Sequence, residues 1–513
     1  MLFSSLVFLL LFLPLCLILY YALPKKKLIY RNIFLLVVSL IFYAWGGTWY
    51  ILLMLSVIII NYLGALWISI DYKKQINETV NEVEYEAVNE TLNETKNNNV
   101  NEIVNQSKPK KYKLVFLLLA NLCILFYFKY FNFFISIIEG ITSRNIDIFE
   151  VLLPIGISFY LFQAMSYVID VYSGKVKVQK NFFKLALYIS LFPALIAGPI
   201  IKYADLELQI NSREHTALGF YYGIKRFIYG LAKKVLIANI LGEAADNIFE
   251  NHPTALGTNV AWIGVIFYAL QIYYDFSGYS CMAIGLSRMF GFKIKENFNY
   301  PYISASITEF WKRWHISLTS WFREYVYYPL GGNRKGALRT YINIIIIFLV
   351  SGLWHGANYT FIIWGAFYAF FLVIERLFLG KTFLRKPNIF NWLYTIIIVL
   401  IAWVFFRSPD TGYALQYIAA MFGYYGSGSG HTPDYYMTMN SVLILPFALL
   451  FCGFIQSWTE KIFSFKLFKN IKNKKWVYDL LFFIEAMCLF ILFGLVVLML
   501  ANKTYNPFIY FQF

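Results

Sequence analysis

Long apolar blocks alternate with short polar ones along most of the chain. Residues 2–23 are apolar up to Pro24 and Lys25-Lys26-Lys27, and 32–45 and 48–70 follow, split by Gly46-Gly47. Further apolar stretches cover 114–138, 151–171, 258–290, 340–356, 359–379, 389–406, 441–457 and 476–501. A helix needs about 20 apolar residues to cross a bilayer, so most of these predict spans, and 32–45 is short for one. The stretch 188–201 (YISLFPALIAGPII) is equally apolar but holds Pro193, Gly198 and Pro199. Irregular backbone at membrane depth must be buried in protein or line a wet cavity, so a re-entrant segment is expected there.

Two polar stretches stand apart. Residues 71–113 are rich in Asn, Glu, Val and Thr, show no helical stripe and end in KPKKYK. They predict a mobile, low-complexity cytoplasmic loop insertion. Residues 424–440 predict a polar extracellular loop. The basic residues at 202–235 and 461–475 predict cytoplasmic surfaces. The first apolar run has its charge after it rather than before it. It is therefore expected to be a retained span with the N-terminus outside.

Composition fits this pattern. Of 513 residues, 59% are hydrophobic and 14% charged, whereas soluble domains are about a quarter charged. The expectation is one all-α polytopic membrane domain over 1–513. The net charge of +16 does not point to nucleic acid. The Lys and Arg residues lie in short blocks between apolar spans, which is the topology signal of a chain held in a lipid bilayer. Cys16, Cys123, Cys281, Cys452 and Cys488 all lie in apolar sequence without a C-x-x-C pair. This excludes a disulfide framework or a cysteine zinc site.

The candidate chemistry lies between Thr308 and Thr360. Phe310, Trp311, Trp314, His315, Leu318, Trp321, Phe322 and Tyr325 recur at spacings of three and four, with Lys312, Arg313, Ser317, Ser320, Arg323 and Glu324 off that stripe. This predicts one amphipathic helix over 308–325 at the cytoplasmic face, with His315 pointing inward, ended by Pro329 and Gly331-Gly332. His355 sits between Trp354 and Gly356 after the apolar run 341–350, and Gly352 and Gly356 admit close approach of backbone or ligand. The other histidines, His215, His252 and His431, lie in polar stretches. A titratable ring in membrane-bound sequence is a functional-site hypothesis by default. Two such rings on separate helices can converge, and a neutral imidazole can take a proton from an attacking hydroxyl. Asp275, with Ser277 and Gly278, also lies in apolar sequence and needs a partner. It reads either as a structural carboxylate tying helix ends or as part of the site.

Competing motifs are missing. There is no G-x-x-x-x-G-K-[ST], G-x-G-x-x-G or H-E-x-x-H, and GSGSG at 426–430 has Gly428 where a nucleophile would stand. A metal site on the two histidines lacks further ligands.

Longer motifs carry a resemblance. WKRWHISLTSWFREYVYYPLGGNR (311–334) and SGLWHGANYTFIIWG (351–365) resemble the membrane-bound O-acyltransferase family. So do LPIGISFYLFQAMSYVIDVY (153–172), LFPALIAGPI (191–200), QIYYDFSGYS (271–280), ENFNYPY (296–302) and the final NPFIYFQF. The likeness covers nearly all of the chain except 71–113 and the loop near 424–440, and is greatest to the branch that acetylates alginate or D-alanylates teichoic acids. It implies a ring of about 11–13 tilted transmembrane and re-entrant helices around a central funnel. It implies His355 as general base and His315 as orienter or acyl-carbonyl partner. Trp354, Asn358, Trp311, Trp314, Asp275 and Ser277 are expected to line the funnel or hold substrate.

The same resemblance implies an inner-membrane enzyme without a tightly bound cofactor. Acetyl-CoA or an acylated carrier protein is the expected cytoplasmic donor. An extracytoplasmic acyltransferase partner and a polysaccharide synthase complex are the expected associates. The wording of the motifs favours acetyl over D-alanyl. The chain departs from the branch at Cys281, where Asp is usual, and at Lys202, where Arg is usual. A transporter or flippase of lipid-linked glycan is the main rival. It predicts an internal repeat, and none is visible. A non-catalytic scaffold would need neither histidine.

Overall fold

The computed structural model describes residues 1–25, 27–87, 109–144, 146, 151–385, 387–426, 432–455, 475–502 and 505–507. Among these there are helices and turns and no strand, so the all-α expectation holds. Among the described residues, seven helices are long and apolar enough to cross a membrane: Tyr50–Asp71, Lys111–Thr142, Thr258–Met289, Ala337–His355, Tyr359–Leu377, Ile389–Arg407 and Asp479–Asn502. Three shorter apolar helices, Phe8–Ala22, Leu28–Ala44 and Met439–Phe454, accompany them. The chain divides into two compact units.

The first unit holds Leu15–Ile196 and Ile200–Glu214. Its helices are α1 (Leu13–Ala22), α2 (Leu28–Ala44), α3 (Tyr50–Ala87), α4 (Lys111–Thr142), α5 (Ile157–Tyr172), α6 (Phe182–Ser190), α7 (Phe192–Leu195) and α8 (Tyr203–Asn211). Helices α3 and α4 are tied in mid-course by the amides of Asn61 and Asn121, which exchange hydrogen bonds of 2.9 and 3.0 Å. Lys113 pairs with Asp71 at 2.7 Å and lies 5.0 Å over the Trp67 ring. Helix α3 runs on to Ala87, past the expected end of the span at residue 70. The apolar pattern stops there, but Lys, Gln and Glu remain good helix formers. Residues 88–108 of the expected loop lie outside the described residues.

The stretch expected to be re-entrant is two short helices joined at Leu191, with Pro193 in the first turn of α7. Residues 185–196 are all buried. Protein groups satisfy the irregular backbone, as burial in a membrane protein demands: the Phe192 N–H donates to Ser39 Oγ at 3.1 Å, and Tyr188 donates to the Ile201 carbonyl at 2.9 Å.

The second unit holds His215–Phe513 with Leu2–Pro14 and Ala197–Pro199. Its helices are α9 (Ala217–Ala232), α10 (Asn239–Phe249), α11 (Thr258–Met289), α12 (Ile307–Arg313), α13 (Ile316–Phe322), α14 (Gly336–His355), α15 (Tyr359–Leu377), α16 (Ile389–Arg407), α17 (Thr411–Met421), α18 (Pro433–Tyr436), α19 (Met439–Leu449) and α20 (Lys475–Asn502). The expected polar loop is partly helical at α18, and its residues 427–431 lie outside the described residues.

Helix α11 is unbroken over 32 residues and nearly all buried. Helix α9 reaches its backbone at Gly278, where a Cβ would sit 2.8 Å from the Gly230 carbonyl oxygen. That contact presses the π-helical turn Lys233–Ala238 onto α11. Lys234 is consequently buried, with its Nζ 2.9 Å from Asp275 Oδ1. This corrects the expectation of a cytoplasmic surface throughout 202–235. A lysine adjacent to a glycine-mediated contact carries its charge inward because a carboxylate awaits it there.

Candidate active site

Helix α12 starts under double control. Ser306 caps it, its Oγ accepting from the Glu309 N–H at 3.0 Å. The buried carboxylate of Glu375, from the end of α15, accepts from the N–H groups of Ile307 at 2.6 Å and Thr308 at 2.9 Å and from the Thr308 hydroxyl at 2.6 Å. A carboxylate on free N–H groups at a helix start is stabilised by both the hydrogen bonds and the dipole.

The expected single helix over 308–325 is two seven-residue helices with a break at Trp314–His315. His315 has φ 42° and ψ 55°, a left-handed conformation that costs a non-glycine residue energy and marks functional sites. The segment at Asn297 holds the break open. Its carbonyl accepts from the Ile316 N–H at 2.9 Å, and its Oδ1 accepts from the Ser317 N–H at 3.1 Å and the Ser317 hydroxyl at 2.8 Å. The three-four spacing was real, but it joins two helices whose stripes share one buried side.

His315 is fully buried, and its Nδ1 lies 3.2 Å from the same Asn297 Oδ1. The Ser317 backbone N–H can only donate, so the Asn297 atom facing it is the carbonyl oxygen. The proton on His315 therefore sits on Nδ1, and Nε2 carries the lone pair. The Asn297 amide is steadied in turn by donating to Ser280 Oγ at 3.2 Å. His315 lies outside the seven spans, and burial lowers its imidazole from the usual value to about 3. It is a neutral, oriented imidazole.

His355 closes α14. Its ring centroid lies 4.9 Å from Trp354, 5.0 Å edge-on from Trp364 and 5.0 Å edge-on from Phe406. Trp354 also neighbours His315, at 6.3 Å. One indole thus has an imidazole from each of two chain segments beside it. Trp311 joins this shell through Trp364 at 5.7 Å, and Trp314 through Trp403 at 5.0 Å. Helix α14 comes close to α15 at Gly352, where a Cβ would lie 2.3 Å from the Phe361 carbonyl oxygen. The glycine admits backbone there, and Gly356 admits the Phe361 ring. A cavity of about 160 Å³ lies between α13 and α14, lined by Trp311, Phe322, Arg323, Phe348 and Ser351 among others. Ser351 is one turn before His355 on the same helix face.

The remaining expected site residues fall elsewhere. Asp275, in mid-course of α11, faces Lys234 in a buried ion pair. Its neighbours Phe276 and Ser280 face His315 and Asn297 instead, because successive helix positions differ by about 100°. Ser277 is buried with no hydrogen-bond partner for its hydroxyl among the described residues. Asn358 is a cap: its side chain accepts from the Thr360 N–H at 3.1 Å and donates to the Pro409 carbonyl at 2.8 Å. Cys281 Sγ lies 3.7 Å from Lys233 Nζ, and Lys202 is buried at the start of α8. Asn297, Glu375, Trp364 and Phe406 were not foreseen as site residues. Asn297 lies inside ENFNYPY, one of the motifs behind the resemblance, and was the most findable. Among the described residues, no group of three His, Cys, Asp or Glu side chains is placed to hold a metal ion.

The fold of the described residues, all helices and turns with spans apolar enough for a membrane, is that of a polytopic membrane protein. The membrane-bound O-acyltransferase family model matches residues 177–408, and curated relatives extend the match. A probable alginate O-acetylase, AlgI, from Pseudomonas putida is 43% identical over 429 residues, covering 83% of this chain and 81% of the relative. The peptidoglycan O-acetyltransferase of Helicobacter pylori is 33% identical over 468 residues, 84% of this chain and 81% of the relative. The teichoic acid D-alanyltransferase of Bacillus subtilis is 30% identical over 237 residues, 44% of this chain and 59% of the relative. The chain belongs to the membrane-bound O-acyltransferase family and is a polytopic membrane acyltransferase.

Proposed function

We propose that the protein moves an acetyl group from a cytoplasmic thioester, acetyl-CoA or an acylated carrier protein, to the O-acylation of an extracytoplasmic polysaccharide. The transfer is direct or passes through a partner acyltransferase working beside a polysaccharide synthase. The observation that carries this reading is the placement of His315 and His355 beside the single ring of Trp354. His355 serves as general base. It takes the proton of the acceptor hydroxyl as the oxygen attacks the thioester carbonyl; the C–O bond forms, the C–S bond breaks, and the proton passes to the leaving thiolate. His315, held by Asn297, orients the carbonyl. The cavity at Arg323 and Ser351 supports entry of the donor arm alongside α14. The names of the alginate and peptidoglycan relatives, matched over most of their length, favour acetyl and a glycan acceptor; the teichoic acid enzyme is matched over less.

The test is His355→Ala and His315→Ala in the producing cell, with membrane levels matched. Loss of acetyl ester from the cell's secreted or surface glycan in both variants supports the assignment. Wild-type acetylation in both contradicts it.

A further inference from the structure

The first unit contains a pair of arginines to which the proposed transfer assigns no role. Arg31, near the start of α2, is fully buried. Its guanidinium lies 5.0 Å from the Tyr20 ring and 5.6 Å from the Tyr21 ring, and Nη2 donates to the Leu23 carbonyl at 3.0 Å. Nε and Nη1 have no hydrogen-bond partner among the described residues. Arg213 comes to the same tyrosine, donating to Tyr20 Oη at 2.9 Å from Nη2 and to Asn32 Oδ1 at 2.6 Å from Nη1. Burial, and further the charge of nearby Arg31, hold the Arg213 guanidinium below its usual value, while the Tyr20 hydroxyl works the other way. Among the described residues Arg31 has no carboxylate partner. Two guanidiniums at one tyrosine, one of them fully buried, make a costly arrangement unless an anion completes it. The rings offset part of the cost by cation–π attraction, but they leave the two Arg31 nitrogens unused.

The surroundings indicate which anion. The pair sits at the turn between α1 and α2, with exposed Lys25 and Lys27 beside it. Leu15, Ile18 and Leu19 on α1 and Ile29 and Ile33 on α2 are exposed apolar side chains leading away from the turn. Arg213 is half-buried and is the more accessible of the two. A cationic site at the end of an apolar helix, bordered by lipid-facing residues, matches a phosphate with acyl chains attached. We propose that Arg31 and Arg213 form a binding site for the phosphodiester headgroup of an anionic phospholipid, whose chains lie on the exposed face of α1 and α2.

The test uses the purified full-length protein in detergent, given equal amounts of phosphatidylglycerol and phosphatidylcholine and read by native mass spectrometry. The wild type retains phosphatidylglycerol about tenfold over phosphatidylcholine, and Arg213→Gln and Arg31→Gln reduce that preference to about unity. Arg213 is only half-buried, so its variant keeps the test decisive if Arg31→Gln fails to fold. Millimolar coenzyme A or inorganic phosphate leaves the retained lipid in place. Undiminished preference in Arg213→Gln overturns the proposal, as does equal retention of the two lipids by the wild type. Displacement by coenzyme A or phosphate also overturns it, assigning the site to a soluble phosphate. The readout is independent of acyl transfer.

Discussion

Asn297 Oδ1 lies 3.2 Å from His315 Nδ1 and 3.1 Å from the Ser317 N–H, so one amide both holds the helix break open and fixes the tautomer of the imidazole within it. Asn297→Ala removes the orienting acceptor without touching either histidine. A catalytic group displaced by about 1 Å loses roughly 10²-fold in rate. Acyl transfer by Asn297→Ala, measured at matched membrane level, is expected to fall by about that factor. A variant at wild-type rate means that His315 needs no such orientation.

The buried imidazole also makes stability depend on pH. The folded value near 3 lies below the unfolded value of about 6.5, so between those values the unfolded chain binds a proton that the folded chain does not. The stability contribution is complete above about pH 6.5 and is lost as pH falls toward 3. At pH 5 the loss is about 2 kcal/mol. His315→Gln is expected to lose less stability than wild type between pH 7.5 and pH 5, read from thermal unfolding in detergent. Equal pH dependence in both proteins means that His315 is not the titrating group.

The Lys234–Asp275 pair predicts an asymmetry between single and double replacement. Lys234→Met leaves a buried carboxylate and Asp275→Leu a buried ammonium, each expected to destabilise by about 3–5 kcal/mol. The double variant is expected to be closer to wild type than either single one, since no charge is left behind. Thermal midpoints of the three proteins check this; additive losses contradict it.

Gly352→Ala tests the seat of His355. The added methyl meets the Phe361 carbonyl oxygen at 2.3 Å, so α14 must move from α15, costing about 1–3 kcal/mol. Activity is expected to fall further than stability explains, because the shift moves His355. A fully active, fully stable variant contradicts this packing role.

Much of the membrane fold was legible because apolar run length maps directly onto helices that can cross a bilayer, as in α11, α15 and α16. Helix α3 overran its prediction because hydropathy marks where a span ends, while helix propensity decides where a helix ends. The break at His315 was hidden for another reason. A three-four stripe survives a helix interruption when both halves bury the same side, and the cause of the interruption, Asn297, lies 18 residues away. His315 and His355 were legible as buried titratable rings after tryptophan. Asp275 was legible as needing a partner, but not as Lys234, because a lysine in a basic block reads as surface until a glycine contact turns it inward. Glu375 carried no local signal, since its role is to cap a helix 67 residues distant.

The most direct measurement is acyl transfer by purified protein in proteoliposomes, with a labelled acetyl thioester on one side and the hydroxyl acceptor glycan on the other. Wild type, His355→Ala and His315→Ala are compared in single turnovers. Removal of His355, the proposed general base, is expected to slow thioester consumption by about 10² to 10⁴, with the His315 variant slowed as well. Thioester consumption by His355→Ala at the wild-type rate would contradict the account.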